Sequence, residues 1–544
     1  MKSWIPIVFA GLLCAVLYGP KLSAPFLWDD YEVLVFNQRL KSPFPIEHLL
    51  DSKYFEISRE QSWRPLATLS YFCQVRLWGL SPFAFRLTGL LLHLLAGLLL
   101  FKTALRAGLD DWAAAAASCL FLIHPAHIET LMVASFNEEI LAAVFLLLML
   151  WAHSVHGESG SVLSSLCAAG AFALGLLSKE SAVMCLPLAV LWDLGRGGPA
   201  LLRRTWKAHA LYGGVLLAFA AVRFGLMRGP MEAGMCSFFF PWVHRVYFAA
   251  KGAATALRLF FFPAFLSIEY FTVFANSWRE IALWLSAGGA ALAFMGWLGM
   301  RVWKTERRLI AFWACPILFL LPTANLFPVC AVSLRYMAER WLYVPYLGFS
   351  ILAARYWIYT PKRLFLAAAF LIPFALLRIH DWRGETAMWR SLLRAEPMSA
   401  KAHEGLAQAF FREKKWDESM ESFQIARQLR EERLDPVLQY ALSVSHDGAF
   451  GWESASLYRW LGHLSLIRQK PEEAEAFFRK AVALDPKPAF PYMILGYYLA
   501  RAGRFPDARL WVGAGLIQEP SNSFLLRLQD DILRRKLTFQ ASFE

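Results

Sequence analysis

From Trp4 to about Leu377 the chain runs in long apolar stretches broken by short polar, often basic, interruptions, and beyond that the pattern changes. A helix needs about 20 mostly apolar residues to cross a bilayer core. The runs predict about eleven spans, near 4–20, 83–101, 112–130, 138–152, 162–178, 181–194, 208–226, 280–300, 309–328, 340–358 and 363–378. The stretch from His244 to Phe262 is apolar too, but it carries Arg245, Lys251 and Arg258. A charge at the bilayer centre costs about 2.5–3.5 kcal/mol on insertion scales. This segment is therefore predicted to lie at the interface, or buried in protein, on the non-cytoplasmic side. Were it to span, the parity would flip and the C-terminal part would face the cytoplasm.

From His380 to Glu544 charged positions are frequent and periodic, and no run is long enough to span. The change falls near Arg378 to Trp382, which predicts a membrane domain over 1–380 and a second domain over 381–544. The second domain repeats. The segment from Ala455 gives Tyr458, Leu461, Gly462, Ala474, Phe478, Ala481 and Pro486, and the segment from Ala489 gives Tyr492, Leu495, Gly496, Ala508 and Pro520. The two prolines stand 34 residues apart, the period and register of a tetratricopeptide repeat (TPR). An earlier unit from Ala400 gives Leu406, Ala407, Phe423 and Ala426, after Pro397. An irregular insertion, Leu434 to Ser454, separates it from the others. Units of this kind stack into an α-solenoid with a concave surface suited to a peptide or protein. The fold class is all-α: a polytopic helical membrane domain followed by a TPR solenoid.

Composition agrees with a membrane protein. The chain is 57% hydrophobic and 18% charged, against about 25% charged in soluble domains. The net charge of +13 would suit nucleic acid, but its distribution argues against that partner. Basic residues gather between apolar runs, as at Lys102 and Arg106, Arg203 to Lys207, Arg301 to Arg308, and Arg355 to Arg363. That is the positive-inside pattern of cytoplasmic loops. The clusters share the side of the N-terminus, so an odd number of spans places the C-terminal domain opposite, in the periplasm or the lumen. The cysteines lie mostly inside apolar segments and read as buried hydrophobes, not as a disulfide or zinc framework. The first run has no clear small-residue cleavage site and is expected to stay as a span.

This topology collects ionisable residues on the non-cytoplasmic side. Asp29, Asp30 and Arg64 lie in the first loop, followed by His124, His127 and Glu129, then Glu138, Lys179 with Glu180, Glu269, and Glu339 with Arg340. Ionisable groups beside membrane segments are functional candidates by default. Here they suit an anionic, lipid-linked ligand and an acid/base centre. Plainer readings stand beside each. Asp-Asp is a common solvated turn, Arg64 can snorkel at the interface, and Lys179–Glu180 and Glu339–Arg340 can be structural ion pairs. His124 and His127 share a helical face, but two ligands are too few for a metal site. A structural or acceptor-side role is expected for them. The first loop has no Asp-x-Asp, and no metal is expected at the site.

The stretches "WDDYEVLVFN", "SWRPLATLSY", "PFAFRLTGLLLHLL", "HPAHIET", "LLSKES", "FPAFLSIEY" and "AERWLYVPYLGF" resemble the GT-C glycosyltransferases. Within them, they resemble the transmembrane and TPR-containing (TMTC-like) protein O-mannosyltransferases. The lead-in "RIHDWRGETAMWRSLLRAEPMSAKAHEGLA" resembles that family's passage into its repeats. Where relatives tend to carry Gly-Arg before the fourth span, this chain has Phe136-Asn137, and it has Ile268-Glu269 where relatives often have Pro-Asp. The resemblance implies a sugar donor on dolichyl or bacterial polyprenyl phosphate, with mannose as the sugar and no cofactor. It implies a protein Ser or Thr hydroxyl as acceptor, held by the TPR domain, in a bacterial inner membrane or the ER membrane. Asp29 or Asp30 would be the base of an inverting displacement. Arg340, Arg64 and Lys179 would hold the leaving phosphate. Transfer to a lipid or glycan acceptor stays open, as does a non-enzymatic membrane-anchored TPR scaffold. A transporter is disfavoured because the two halves show no internal repeat.

Overall fold

The structure is a computed structural model. It describes residues 5–43, 46–51, 53–58, 62–226, 241–271, 277–326, 335–432 and 451–538. Most of the insertion at Leu434 to Ser454, and the last two residues of "PTANLFP", lie outside the described residues. By contacts the chain divides into two compact units, Met1–Ser391 and Leu392–Glu544.

Among the described residues the first unit is helical apart from one short antiparallel strand pair. Helices α1 (Ile5–Tyr18), α2 (Tyr54–Ser58), α3 (Pro65–Trp78), α4 (Pro82–Arg106), α5 (Asp111–Ile123), α6 (Ile128–Met132), α7 (Asn137–Ser159) and α8 (Val162–Ser178) come first. Then follow α9 (Cys185–Arg196), α10 (Gly198–Arg204), α11 (Trp206–Ala220), α12 (Trp242–Phe261), α13 (Trp278–Thr305), α14 (Ile310–Leu320), α15 (Tyr343–Tyr356) and α16 (Pro361–Asp381). Capping signals set several of these starts. The Ser81 side chain accepts the Ala84 N–H ahead of Pro82, the Asp110 side chain accepts the Ala113 N–H at 2.8 Å, and Thr360 precedes Pro361 in the same way. Such caps satisfy donors that the first turn leaves unpaired.

The core is where α4, α5, α7 and α15 meet. Residues Ala113–Ile123 of α5 and Tyr343–Ala354 of α15 are buried all round, the mark of helices enclosed by others. Gly97 lets α4 approach α5, since a Cβ there would come within 2.6 Å of the Leu122 side chain. Strands β1 (Tyr270–Phe271) and β2 (Arg335–Met337) pair antiparallel, with Tyr270 opposite Met337.

Among the described residues five helices are long and apolar enough to cross a membrane: Pro82–Arg106, Ala134–Ser159, Trp206–Gly225, Trp278–Thr305 and Pro361–Asp381. The bent pair Asp111–Ile123 and Pro125–Met132 makes up to six if it is one span. Apolar helices at other expected spans are shorter, such as the 12 residues of α9, the 11 of α14 and the 14 of α15. The segment with three basic residues forms α12, which is not among the spanning helices. Its Lys251 ammonium sits 5.0–5.6 Å from the ring centres of Tyr247, Trp284 and Tyr336, a way to hold a cation away from water.

The second unit is made of helical hairpins: Ala400–Arg412 with Trp416–Glu431, Gly451–Ile467 with Pro471–Leu484, and Phe490–Arg501 with Phe505–Gln518, followed by Ser523–Leu533. The small positions of the repeat are where the helices touch. A Cβ on Gly462 would meet the Phe478 ring at 2.9 Å, and one on Gly496 would meet Val512 at 2.7 Å. Pro486 and Pro520 each stand just beyond the end of a second helix.

Candidate active site

The two acids of the first loop have separate environments. Trp28 takes a left-handed backbone, φ 49°, which is rare for a bulky residue and marks a constrained position. Its N–H donates to Glu385 Oε1 at 3.0 Å, and its ring meets Phe136 and Trp389 edge-on. Asp30, two residues on, is fully buried and accepts the Ser135 N–H at 2.8 Å and the Leu27 N–H at 3.1 Å. Burial pushes the Asp30 carboxyl up to about 6, against the pull of Arg86 and the backbone N–H groups of Ser135, Leu27 and Ala134. Arg86, buried on α4, donates to the carbonyls of Met132 (2.8 Å), Pro25 (2.5 Å), Leu22 and Ala24. Asp30 and Arg86 thereby fasten the first loop to the segment between α6 and α7. Asp29 is only half-buried, and its side chain makes no hydrogen bond or ion pair with a described residue. Its charge acts on Arg340.

The three expected cations come together from separate elements. Arg64 precedes α3, where Pro65 opens the helix, and donates to Glu138 at 2.9 Å and Glu180 at 3.3 Å. Glu138 and Glu139 head α7, and Glu139 is ion-paired with Lys179 at the end of α8. The second oxygen of Glu138 is buried without a hydrogen-bond partner among the described residues. Arg340, in the turn before α15, pairs through Nη1 with Glu129 Oε1, while its backbone N–H donates to Glu129 Oε2 at 3.0 Å. Its guanidinium lies 4.4 Å from the Phe136 ring centre and 5.7 Å from that of Trp28. Burial pushes the Lys179 ammonium down to about 7. Arg64 and Arg340 add to that push, and Glu138 and Glu180 oppose it.

Two pairings suggested by adjacency in sequence do not form. Lys179 is extended, φ −159°, and successive side chains of an extended chain point apart, so Lys179 meets Glu139 while Glu180 meets Arg64. Glu339 and Arg340 are consecutive on a 3₁₀ turn, about a third of a turn apart. Glu339 pairs with Arg378 of α16 at 2.9 Å and accepts the Tyr270 hydroxyl at 3.1 Å. Glu269 pairs with Arg335 at the strand pair, and the Arg335 guanidinium lies 5.3 Å from the Trp28 ring centre. His124 accepts the Ala126 N–H at 3.2 Å and stacks on Phe260, with its Nε2 3.2 Å from the Phe260 carbonyl. His127 sits among the rings of Phe121 and Tyr343, and neither of its nitrogens has a hydrogen-bond partner among the described residues. Trp28, Arg86, Glu139, Arg335 and Arg378 were absent from the expected set. Arg86 and Arg378 carried a legible signal, each being a charge at the end of or inside an apolar run.

Apolar helices of spanning length, with ionisable groups gathered where their ends meet, define a multi-pass membrane protein, here followed by TPR-like hairpins. Residues 67–224 match the family model "Dolichyl-phosphate-mannose-protein mannosyltransferase", and residues 383–433 match a tetratricopeptide repeat model. The first match includes Glu129, Glu138, Lys179 and Glu180, and leaves Asp29, Arg64 and Arg340 outside. The chain is 22% identical to human protein O-mannosyl-transferase TMTC3 over 464 residues, covering 75% of this chain and 49% of that protein. It is 25% identical to protein O-mannosyl-transferase F38B6.6 of Caenorhabditis elegans, covering 72% and 58%. With protein O-mannosyl-transferase Tmtc2 of Drosophila melanogaster it shares 28% over 42% of this chain and 26% of that protein. The chain thus spans less than two thirds of these relatives. The resemblance to the TMTC-like protein O-mannosyl-transferases is borne out by these relatives and by the two family-model matches. Among solved structures, the ArnT of Cupriavidus metallidurans bound to undecaprenyl phosphate aligns at 16% identity and a TM-score of 0.35, over 83% of this chain and 80% of that one.

Proposed function

We propose that the chain is a membrane glycosyltransferase of GT-C type that moves mannose from a polyprenyl-phosphate donor to a protein Ser or Thr hydroxyl. The observation that carries the reading is the meeting of Arg64, Lys179 and Arg340 beside an Asp29 carboxylate with no other partner among the described residues. A second feature supports the lipid part. An apolar groove of about 480 Å³ is lined by Trp63 and Pro65, on either side of Arg64 in sequence, by Leu176 and Leu177, just before Lys179, and by Phe219 and Val222. A prenyl tail in this groove would leave its phosphate among the cations.

In the reaction Asp29 takes the proton of the acceptor hydroxyl as its oxygen attacks C1 of the sugar. The bond from C1 to the phosphate oxygen breaks, and the electron pair leaves with the lipid phosphate, whose charge the cations stabilise. The configuration at C1 inverts. Asp30 holds the loop that presents Asp29. The domains, 1–380 for transfer and 381–544 for a solenoid that holds the acceptor, are part of this proposal. So are eleven spans and a site on the periplasmic or lumenal side.

The test is transfer by purified full-length protein from synthetic polyprenyl-phosphate mannose to Ser/Thr peptides, read by mass spectrometry. Mannosylated peptide is expected, and its absence across a panel of polyprenyl-phosphate hexoses would overturn the reading. Lys179 adds a pH signature. A lysine whose pKa is pushed down to about 7 is charged below that pH and neutral above it. Donor kcat/KM, which reports groups of the free enzyme, should therefore fall as pH rises through about 7. Lys179→Arg keeps the charge and should flatten that limb. Its persistence in the Arg variant would assign the limb to another group.

A further inference from the structure

The geometry points to a buried site for one zinc-class divalent cation, formed by His153, Asp193 and His209, in a part of the membrane unit remote from the candidate active site. The three residues stand on α7, α9 and α11, and their ligand atoms all lie within 4.8 Å of one another. His153 Nε2 is 3.0 Å from Asp193 Oδ1, and His209 Nε2 is 2.8 Å from Asp193 Oδ2. Both rings thus present the same kind of nitrogen to one carboxylate. The Thr205 hydroxyl, 2.5 Å from Asp193 Oδ2, brings a further oxygen. His153 lies 14 residues beyond Glu139 on α7, about 21 Å along the helix axis at 1.5 Å per residue.

Two observations favour a cation over a hydrogen-bond network alone. Asp193 is 1% exposed, and among the described residues no lysine or arginine is ion-paired with it. Its two oxygens are bonded only to imidazoles and a hydroxyl among the described residues, with the Arg196 charge acting from beyond ion-pair distance, and a buried carboxylate calls for a stronger counter-charge. The Tyr212 hydroxyl lies 3.0 Å from His153 Nδ1, the outer partner that fixes a metal-bound imidazole in its tautomer. His209 Nδ1 is buried with no hydrogen-bond partner among the described residues, so Nε2 is the nitrogen this ring commits to Asp193. Two imidazoles and a carboxylate, with a hydroxyl or water as fourth donor, match the four-coordinate preference of zinc. The His209 side chain, 12% exposed, is the more open edge by which an ion enters. A cation here would clamp three helices together, a structural role separate from transfer.

The experiment uses tag-free, full-length protein in detergent. Elemental analysis should find about one zinc per chain. After chelation, Co²⁺ should give the visible absorption of a four-coordinate N/O site, and Zn²⁺ should displace it. Zn²⁺ should also raise the unfolding temperature of the stripped protein. Tyr212→Phe keeps the packing and removes the outer hydroxyl, so it should weaken metal binding by about ten- to a hundredfold. His209→Gln should abolish both the Co²⁺ spectrum and the thermal shift. If His209→Gln does not fold, the wild-type titration still decides. Wild-type protein with no bound metal, no Co²⁺ band and no thermal shift would overturn the site. So would undiminished metal binding by Tyr212→Phe and His209→Gln.

Discussion

Asp29→Asn is expected to lower the turnover of sugar transfer by roughly 10² or more, the scale for loss of a general base, while the unfolding temperature stays near that of the wild type. The structure separates this substitution from its neighbour. Asp29 is half-buried and its side chain makes no hydrogen bond or ion pair with a described residue, so Asn at that position breaks none and removes only a charge that acts on Arg340. Asp30 accepts two backbone N–H groups in a buried pocket beside Arg86. Hydrogen bonds to a charged acceptor contribute about 1.5–3 kcal/mol each. Asp30→Asn also turns an amide N–H₂ toward a backbone donor. Its first effect is therefore a lower unfolding temperature in detergent, with turnover falling as a consequence. Measuring both quantities on both variants separates the roles. Wild-type turnover in Asp29→Asn would remove Asp29 from the chemistry, and an unchanged unfolding temperature in Asp30→Asn would remove Asp30 from its structural one.

Arg340→Ala has a double effect. Its partner Glu129 is fully buried, and the Arg340 side chain itself is only 11% exposed. Removing one member of such a pair leaves an uncompensated charge and costs about 3–5 kcal/mol. Loss of activity in this variant alone would therefore say little about phosphate. The informative variant is the double substitution Arg340→Met with Glu129→Gln, which removes both charges and keeps most of the volume. Its stability should return toward wild type, because a buried ion pair contributes little net stability over apolar groups. Donor use should nevertheless stay low by roughly ten- to a hundredfold, the worth of about 1.5–3 kcal/mol of charge-assisted contact. Recovery of donor kinetics along with stability would make Arg340 a structural residue and leave Arg64 and Lys179 as the phosphate ligands.

Some of this was legible in the order of residues alone, because it depends on local period. Apolar run length marks membrane segments, and the helices at 82–106, 134–159, 206–225, 278–305 and 361–381 answer to it. The Leu-Gly, Ala and Pro positions of the repeat fall where helices touch or end, since only small residues admit that approach. The grouping of Arg64, Glu138, Lys179, Glu180, Glu129 and Arg340 was also within reach, since charged groups at the ends of apolar runs share a face once the runs alternate direction across a membrane. Which charge meets which was decided only by the tertiary structure. Glu129 lies 211 positions from Arg340, and Trp28 lies 357 from Glu385. Neighbours in sequence diverge because an extended or 3₁₀ backbone points them apart. The division between Asp29 and Asp30 follows from one left-handed residue, Trp28, and from a backbone N–H at Ser135. The meeting of His153, Asp193 and His209 likewise depends on how three helices are placed side by side. Hydrophobic period states how a helix is wetted, and it is silent about the rotation and depth at which one helix packs on another, which is what brings two side chains within bonding distance.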